Sequence, residues 1–241
     1  MVTVDWEDYI DREMDTSWRT YARLAEVYGG EYYEEVAEDV ASELDDRGID
    51  RMLDAGTGPG FLPRAITERQ DVTVDAVDIT RDLLLYGRGP EGRNSINFVT
   101  GDIHHLPLQD EQYPFVTCTG VLHMLDEPVR AVDELYRVMD EEAEAWIFDP
   151  AVLQYDGEVS DHLSSEEQEV WDAFKQNLTE EKRPETYSRE EARAIMSASQ
   201  FEDFTVSDGP WGDLRIATKH GQSLGLLGRV RQRLEGYLPD P

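Results

Sequence analysis

The segment from Asp54 to Gly60 constrains the fold of this chain more than any other. It reads Asp-Ala-Gly-Thr-Gly-Pro-Gly and follows the short apolar pair Met52-Leu53, as at the end of a buried strand. Its three glycines lack a Cβ, so they permit a tight turn, close approach of a ligand to bare backbone and a helix packed on the strand. Apolar residues then recur near helical spacing, and Pro63 falls in the first turn, where its missing N–H is tolerated. The segment predicts a strand, a glycine turn and a helix.

Two later acidic residues each follow another predicted strand. The alternating run 72–77 ends on Asp78, about 20 residues after the glycine turn, where an acid can accept hydrogen bonds from ribose hydroxyls. A third strand, 96–100, runs into Gly101-Asp102. In an open parallel sheet, ligands bind outside the carboxyl ends of the strands. Asp54, Asp78 and Asp102 are therefore expected at one edge of the sheet.

These residues resemble the class I methyltransferases that use S-adenosylmethionine, especially the small-molecule branch related to quinone-biosynthesis enzymes. The resemblance covers residues 51–150 and includes the stretches 101–110 and 115–123. It implies an α/β fold with a doubly wound, mostly parallel seven-stranded sheet, helices on both faces and a helical cover. It also implies that the glycine turn faces the amino-acid part of the cofactor, that Asp78 holds the ribose and that Asp102 receives the adenine amino group.

The expected cofactor contacts are Asp54, Gly56, Thr57, Gly58, Gly60, Asp78, Ile79, Asp102, Ile103, Thr119 and Tyr28. For Asp54 two interpretations stay open: it touches the ligand, or it orients the turn through backbone N–H groups. Asp78 has an alternative role as a helix cap, but Thr80 is available as the N-cap and would leave Asp78 for the ribose. Tyr28 is preferred among the N-terminal aromatic residues because a hinge at the following Gly29-Gly30 would close the site; core packing explains those aromatic residues almost as well.

Two other functions compete with methyl transfer. A nicotinamide-dependent oxidoreductase would have a Gly-x-Gly-x-x-Gly pattern with glycine at Phe61, whereas here the last glycine comes one position early. Asp54 and Asp102 also lack an obvious role in binding pyrophosphate, and no basic residue lies inside the turn. The second alternative is a protein that binds S-adenosylmethionine without catalysis.

Methyl transfer mainly requires alignment of a nucleophile with an activated methyl group, so a general base is needed only where the acceptor must lose a proton. His123, after the fourth predicted strand, is positioned to be that base. The alternative is a histidine packed in a short helix. His104 and His105 flank Asp102 and are weaker candidates. The sequence shows no metal-ligand spacing, no nucleophilic triad and no phosphate loop with lysine.

The predicted organisation has five parts. Residues 1–50 form a helical cover, 51–150 the cofactor-binding core, 151–187 a helical insertion over the substrate, 188–220 a closing helix and strands, and 221–241 an amphipathic helix. The closing helix is predicted to begin with a capping box at Ser188-Arg-Glu-Glu191.

The charge of the chain is extreme, with 53 acidic and 22 basic residues and a net charge of −31. Such a composition is typical of salt-accumulating halophiles and predicts an archaeal halophile as the source. Phosphate binding needs basic patches, so a nucleic-acid partner is not expected and a small organic substrate is favoured. We also expect no membrane segment, a cytoplasmic location, no internal disulfide because Cys118 is the single cysteine, and a monomer or homodimer.

We expect the protein to lose structure when it is diluted from molar potassium chloride into dilute buffer. The reason is screening: the Debye length grows from about 3 Å at 1 M salt to about 10 Å at 0.1 M, so surface carboxylates repel one another over a longer range. Circular dichroism at both salt concentrations measures the change. An unchanged helical signal and melting temperature at low salt would contradict the prediction.

Overall fold

A computed structural model of the protein describes residues 16–88, 95–149, 187–209 and 214–219. Its strands are β1 (Arg51–Ala55), β2 (Thr73–Asp78), β3 (Ile96–Thr100), β4 (Tyr113–Thr119), β5 (Met139–Asp149), β6 (Asp203–Asp208) and β7 (Leu214–Lys219). They form a seven-stranded sheet in the order β3-β2-β1-β4-β5-β7-β6. The first five strands are parallel, and β7 runs antiparallel to both neighbours. The predicted doubly wound α/β fold is confirmed.

Five α-helices and one 3₁₀ helix connect the strands in the described ranges. They are α1 (Thr16–Arg47), α2 (Phe61–Thr67), α3 (Arg81–Arg88), the 3₁₀ helix (Leu122–Met124), α4 (Pro128–Val138) and α5 (Arg189–Ala198). The predicted capping box of α5 is present, since Ser188 Oγ accepts the Glu191 N–H and the Glu191 carboxylate accepts the Ser188 N–H at 2.8 Å. None of the helices in these ranges combines the length and apolar character needed to cross a membrane.

Several predicted boundaries were wrong. The helical spacing of Tyr32, Val36, Val40 and Leu44 predicts a helix over 31–46, but α1 already begins at Thr16. The sequence also predicts a helix over 128–139 and a fifth strand from Ala145, whereas β5 begins at Met139, the last residue of that predicted helix. The early part of β5 reads Asp-Glu-Glu-Ala-Glu, which has low strand propensity, and the pairing of Met139 with Tyr113 overrides that propensity. The predicted insertion 151–187, apart from Tyr187, and the predicted helix 221–241 lie outside the described residues.

The sheet separates two apolar cores. One lies under α4 and α5 and includes Val116, Leu135 and Met196; the other lies under α1 and α2 and includes Leu44 and Ile66. Because helices cover both faces, the central strands are buried on both sides, as the burial of four of the five β1 residues illustrates. The rigid core thus holds the strand ends in fixed relative positions.

A polar network ties together the amino-terminal halves of four strands. The buried Asp75 carboxylate accepts hydrogen bonds from Arg51 Nη2, Asn97 Nδ2 and Tyr113 OH, each at 2.7 Å. Burial alone would raise the pKa of Asp75, but the hydrogen bonds from Tyr113, Arg51 and Asn97 outweigh it and hold the pKa below its usual value. Asp75 therefore stabilises the fold as a carboxylate.

Asp75→Asn should lower the free energy of unfolding at pH 7 by about 1–3 kcal/mol, because buried donors lose a charged acceptor. An acid whose pKa is lowered on folding contributes its full stability above its unfolded pKa of about 3.9 and loses it as the pH falls through the lower folded value. The gap between wild type and variant should therefore narrow below about pH 4. Urea unfolding in molar salt measures it, with Asp71→Asn at an exposed site as the control. Equal stability of the two variants would contradict this role.

Candidate active site

The glycine turn between β1 and α2 is tied to the carboxyl end of β2. The N–H groups of Gly56 and Thr57 donate to the Val77 carbonyl oxygen at 2.8 and 2.9 Å. The Gly58 N–H donates to Asp78 Oδ2 at 2.8 Å. Two neighbouring strand ends therefore fix the backbone of the turn.

The three glycines of the turn all have positive φ but serve different purposes. A Cβ on Gly56 (φ 73°) would lie 2.3 Å from Val121 Cγ2, and one on Gly60 (φ 72°) would lie 2.7 Å from Phe98 Cε1. These two glycines permit close packing of the turn against the loop after β4 and against β3. A Cβ on Gly58 (φ 54°) would meet nothing within 4 Å. Gly58 is thus the glycine of the turn with open space above its backbone, where a ligand can approach.

Asp78 lies at the end of β2 with its side chain engaged locally. Oδ1 accepts the Thr80 N–H at 2.7 Å, and Oδ2 accepts the Gly58 N–H at 2.8 Å. The Thr80 N–H therefore occupies one acceptor position of Asp78, and the predicted ribose role stays a prediction. Burial raises the pKa of Asp78, and the hydrogen bonds from Thr80 and Gly58 oppose that shift. A carboxylate has about four acceptor positions, so acceptor capacity remains for a ribose hydroxyl.

Asp102 follows β3 and is half-exposed at the same edge of the sheet. Its Oδ1 accepts the His104 N–H at 2.9 Å and lies 2.8 Å from His104 Nδ1. These contacts, the backbone one foremost, hold the pKa of Asp102 below its usual value, so it is an ionised acceptor at neutral pH. The two apolar residues predicted as cofactor contacts differ in exposure. Ile79, beside Asp78, is 67% exposed, whereas Ile103 is 8% exposed and belongs to the core.

Asp54 is buried between β1 and β4. It is 2% exposed, and Thr117 Oγ1 donates to its Oδ1 at 2.6 Å. Burial raises the pKa of Asp54 to about 6. The N–H groups of Gly56, Thr57 and Gly58 donate to β2, and the two predicted roles of Asp54 stay predictions. Asp54 joins the two strands between which the chain order reverses.

A histidine and an acid meet at the ends of β4 and β5. His123 lies in the 3₁₀ helix after β4, and its Nδ1 is 2.5 Å from Oδ1 of Asp149, the last residue of β5. Their side chains are 10% and 1% exposed. Asp149 was not predicted as a site residue. It directly follows the apolar run 146–148, and the same pattern predicted Asp78 and Asp102 as site residues.

Three buried oxygen atoms at this edge have no hydrogen-bond partner among the described residues. They are Thr57 Oγ1 in the glycine turn, Thr119 Oγ1 at the end of β4, and Asp149 Oδ2. Buried polar atoms in folded proteins are nearly always paired, so such atoms mark places where a bound group completes the hydrogen bonding. Thr119 was predicted as a cofactor contact.

The N-terminal aromatic residues are only partly described. Tyr28 lies in α1, but its side chain is outside the described residues, so its predicted role stays a prediction. Tyr21, in the same helix, packs with Leu83 of α3. Burial and, secondarily, the charge of Asp78 raise the pKa of Tyr21. Tyr21 of α1 therefore interacts electrostatically with Asp78, the predicted ribose acid.

The methyltransferase domain family matches residues 53–147. Malonyl-acyl-carrier-protein O-methyltransferase from Enterobacter lignolyticus is 30% identical over 103 residues, 43% of this chain and 40% of that protein. Demethylmenaquinone methyltransferase from Renibacterium salmoninarum is 34% identical over 90 residues, 36% of each chain. The matches thus span about two fifths of these relatives. A structure of a proposed S-adenosylmethionine-dependent methyltransferase from Methanococcus maripaludis has a TM-score of 0.65, is 18% identical, and the likeness covers 86% of this chain and 94% of that one.

The strand order is that of the Rossmann-like methyltransferase fold, which the solved structure shares. The matched residues 53–147 include the glycine turn and β2 to β4. These findings support an S-adenosylmethionine-dependent methyltransferase; they do not distinguish among acceptors, since the relatives carry different acceptors in their names.

Gly58→Ala should weaken binding of S-adenosylhomocysteine, because a methyl group would occupy the open space above the turn. The matched control is Gly48→Ala: Gly48 follows α1, has φ 64° and likewise has nothing within 4 Å of an added Cβ. Both variants should lose about 1–3 kcal/mol of stability to left-handed backbone strain. Calorimetric titration and thermal melts separate the two effects. Equal affinity loss in both variants, or none in either, would argue against ligand approach at Gly58.

Proposed function

We propose that this protein is a methyltransferase that moves the methyl group of S-adenosylmethionine to a small organic acceptor. The observation that carries the proposal is the convergence of the glycine turn, Asp78, Asp102 and Thr119 on one edge of the sheet at the strand-order reversal. Ligands of open α/β sheets bind at this position. The domain match supports the cofactor, and the acceptor class is inferred from charge and site chemistry.

The residues present fit the cofactor. The open backbone of Gly58 leaves room for a ligand, and the buried, unpartnered Thr119 Oγ1 offers a hydrogen bond to one within the described site. Asp78 would accept the ribose hydroxyls, and Asp102, held ionised by His104, would accept the adenine amine. The exposed Ile79 would cover the apolar face of the base.

The bound cofactor supplies a methyl group already activated by its sulfonium. The chain must therefore orient the acceptor and exclude water; perfect alignment is worth up to about 7–11 kcal/mol of the barrier. The fixed turn and the strand ends supply rigid anchor points for that alignment. The acceptor side of the site lies toward β4 and β5, since Asp78 and Asp102 occupy the β2 and β3 side.

The acceptor is inferred to be a small molecule other than a nucleic acid. A net charge of −31 repels a phosphate backbone, which proteins bind through clustered lysine and arginine. Several arginines in the described ranges are also paired with acids, as in the contacts of Arg137 with Glu134 and Asp110. A small metabolite avoids the long-range repulsion that a polyanion would meet.

The test is calorimetric titration of S-adenosylmethionine and S-adenosylhomocysteine into the full chain in molar potassium chloride, with NADH as the control ligand. We expect micromolar binding of the first two and none of NADH. Asp78→Ala should weaken binding by about 1–3 kcal/mol, the cost of losing hydrogen bonds to a charged group. Binding of NADH alone would overturn the cofactor assignment, and unchanged affinity in the variant would remove the ribose role of Asp78.

Catalysis is separated from simple binding by labelling. The protein is incubated with methyl-labelled S-adenosylmethionine and a small-molecule extract, and label is sought in extract components. We expect one class of small molecule to become labelled. Tight cofactor binding with no labelled product from any extract fraction would favour a protein that binds S-adenosylmethionine without transferring its methyl group.

A further inference from the structure

We propose that His123 and Asp149 form a proton-accepting pair that deprotonates a hydroxyl group of the methyl acceptor, with His123 as the base and Asp149 as its positioning residue. The inference deepens the proposed function and rests on it. It names a positioning residue and an acceptor class: molecules whose nucleophilic oxygen carries a proton at neutral pH.

The pair lies on the acceptor side of the site. β4 and β5 are neighbours, with Thr119 paired to Phe148, and the Gly120 N–H donates to the Phe148 carbonyl oxygen at 2.8 Å. The loop that carries His123 is thereby held against the end of β5. Val121, two residues before His123, makes the close contact that requires glycine at position 56. The loop that carries the pair's histidine is thus connected to the glycine turn through the packing of Val121 on Gly56.

The contact with Asp149 defines the tautomer of His123 in the proposed pair. A carboxylate only accepts hydrogen bonds, so in this pair the hydrogen is on Nδ1, 2.5 Å from Asp149 Oδ1, and the lone pair is on Nε2. Among the described residues, the other titratable groups that interact electrostatically with Asp149 are Tyr187 and Cys118, and burial foremost raises the pKa of both. Asp54 also acts on Cys118. Within the described part of the chain no ion pair joins Asp149 to an arginine or lysine.

The unpartnered oxygen of Asp149 argues against a purely structural pair. Within the described part of the chain, one carboxylate oxygen meets His123 and the other, Oδ2, is buried without a donor. Leaving a buried charged acceptor unpaired is costly, and such atoms call for an explanation such as a bound group. A donor group of the acceptor other than the hydroxyl that His123 deprotonates would complete the hydrogen bonding of Oδ2.

The proposed step is a proton transfer to His123 together with displacement at the methyl carbon. His123 Nε2 takes the proton of the acceptor hydroxyl, and the oxygen forms a bond to the methyl carbon. The carbon–sulfur bond breaks, and its electron pair stays on sulfur. The proton then leaves the imidazolium for solvent. A carboxylate acceptor has no proton to lose at neutral pH and would not need the pair.

A second histidine–carboxylate contact provides a comparison within the same edge. His104 Nδ1 is 2.8 Å from Asp102 Oδ1, but the Asp102 side chain is 50% exposed, against 1% for Asp149. Solvent weakens the exposed interaction, and the two residues belong to one short loop. The buried pair joins the loop after β4 to the end of β5, so it is the one able to hold an imidazole in a fixed direction.

The first arm of the test is nitrogen-15 NMR of histidine-labelled full-length protein with S-adenosylhomocysteine, in molar potassium chloride. The chain has five histidines, and loss of one signal in His123→Asn assigns the residue. We expect neutral His123 with hydrogen on Nδ1. Asp149→Leu should shift it toward the Nε2–H form, while Asp126→Asn, at an exposed site of the same loop, should not. An Nε2–H tautomer in the wild type overturns the proposal, even where Asp149→Leu fails to fold.

The second arm uses the labelled extract product. His123→Asn and Asp149→Leu should lower kcat by about 10²- to 10⁴-fold, the usual contribution of a general base, with unchanged affinity for S-adenosylhomocysteine. Asp126→Asn, at an exposed site of the loop after β4, serves as the matched control. The product should be an ether, whose label survives mild alkali. Release of labelled methanol from a methyl ester, or full kcat in the variants, overturns the pair; absence of wild-type cofactor binding instead overturns the proposed function.

Discussion

The pairing of β1 with β2 on one side and β4 on the other determines where every group of the candidate site lies. At this boundary the chain stops adding strands toward β3 and begins adding them toward β5. Asp54 and Thr117 hydrogen-bond across the boundary inside the protein, while the glycine turn above them is tied to Val77 and Asp78. Because β1 pairs with both β2 and β4, a displacement of the turn would also move the loops that follow these two strands.

The two edges of the sheet have different tasks. At the amino edge, Asp75 has three hydrogen-bond donors and a lowered pKa, so its interactions favour folding at neutral pH. At the carboxyl edge, Asp54 is buried with a raised pKa and Asp149 has an unpartnered oxygen among the described residues. These carboxyl-edge groups cost stability in the free protein. The arrangement is expected where part of the folding free energy is given up for binding.

The sequence predicted those parts of the site that depend on local pattern. The glycine turn, the acid after β2 and the capping box of α5 are contiguous motifs, and each forms a regular local structure. The partners of Asp54 and Asp149 could not be predicted, because Thr117 and His123 are brought to them by strand pairing across long stretches of chain. The start of β5 was not predicted because its acidic residues have low strand propensity. Pairing with the neighbouring strand overrides that propensity.

The local engagement of Asp78 was missed for another physical reason. A side chain that follows a strand can bind ligand, cap the next helix or hold a neighbouring turn, and the same residue type serves all three. The sequence offered Thr80 as an alternative cap, but the structure gives the Thr80 N–H to Asp78. Only the relative placement of the turn and the strand end decides among these uses.

The pair of His123 and Asp149 also has a consequence for substitutions on the acceptor side of the site. His123 lies inside the matched segment 53–147, whereas Asp149 lies two residues beyond its end. In the proposed mechanism, the strand-end cofactor contacts therefore lie within the matched segment, whereas the residue that positions the base lies outside it. A substitution at Asp149 is thus expected to alter the acceptor side without altering those cofactor contacts.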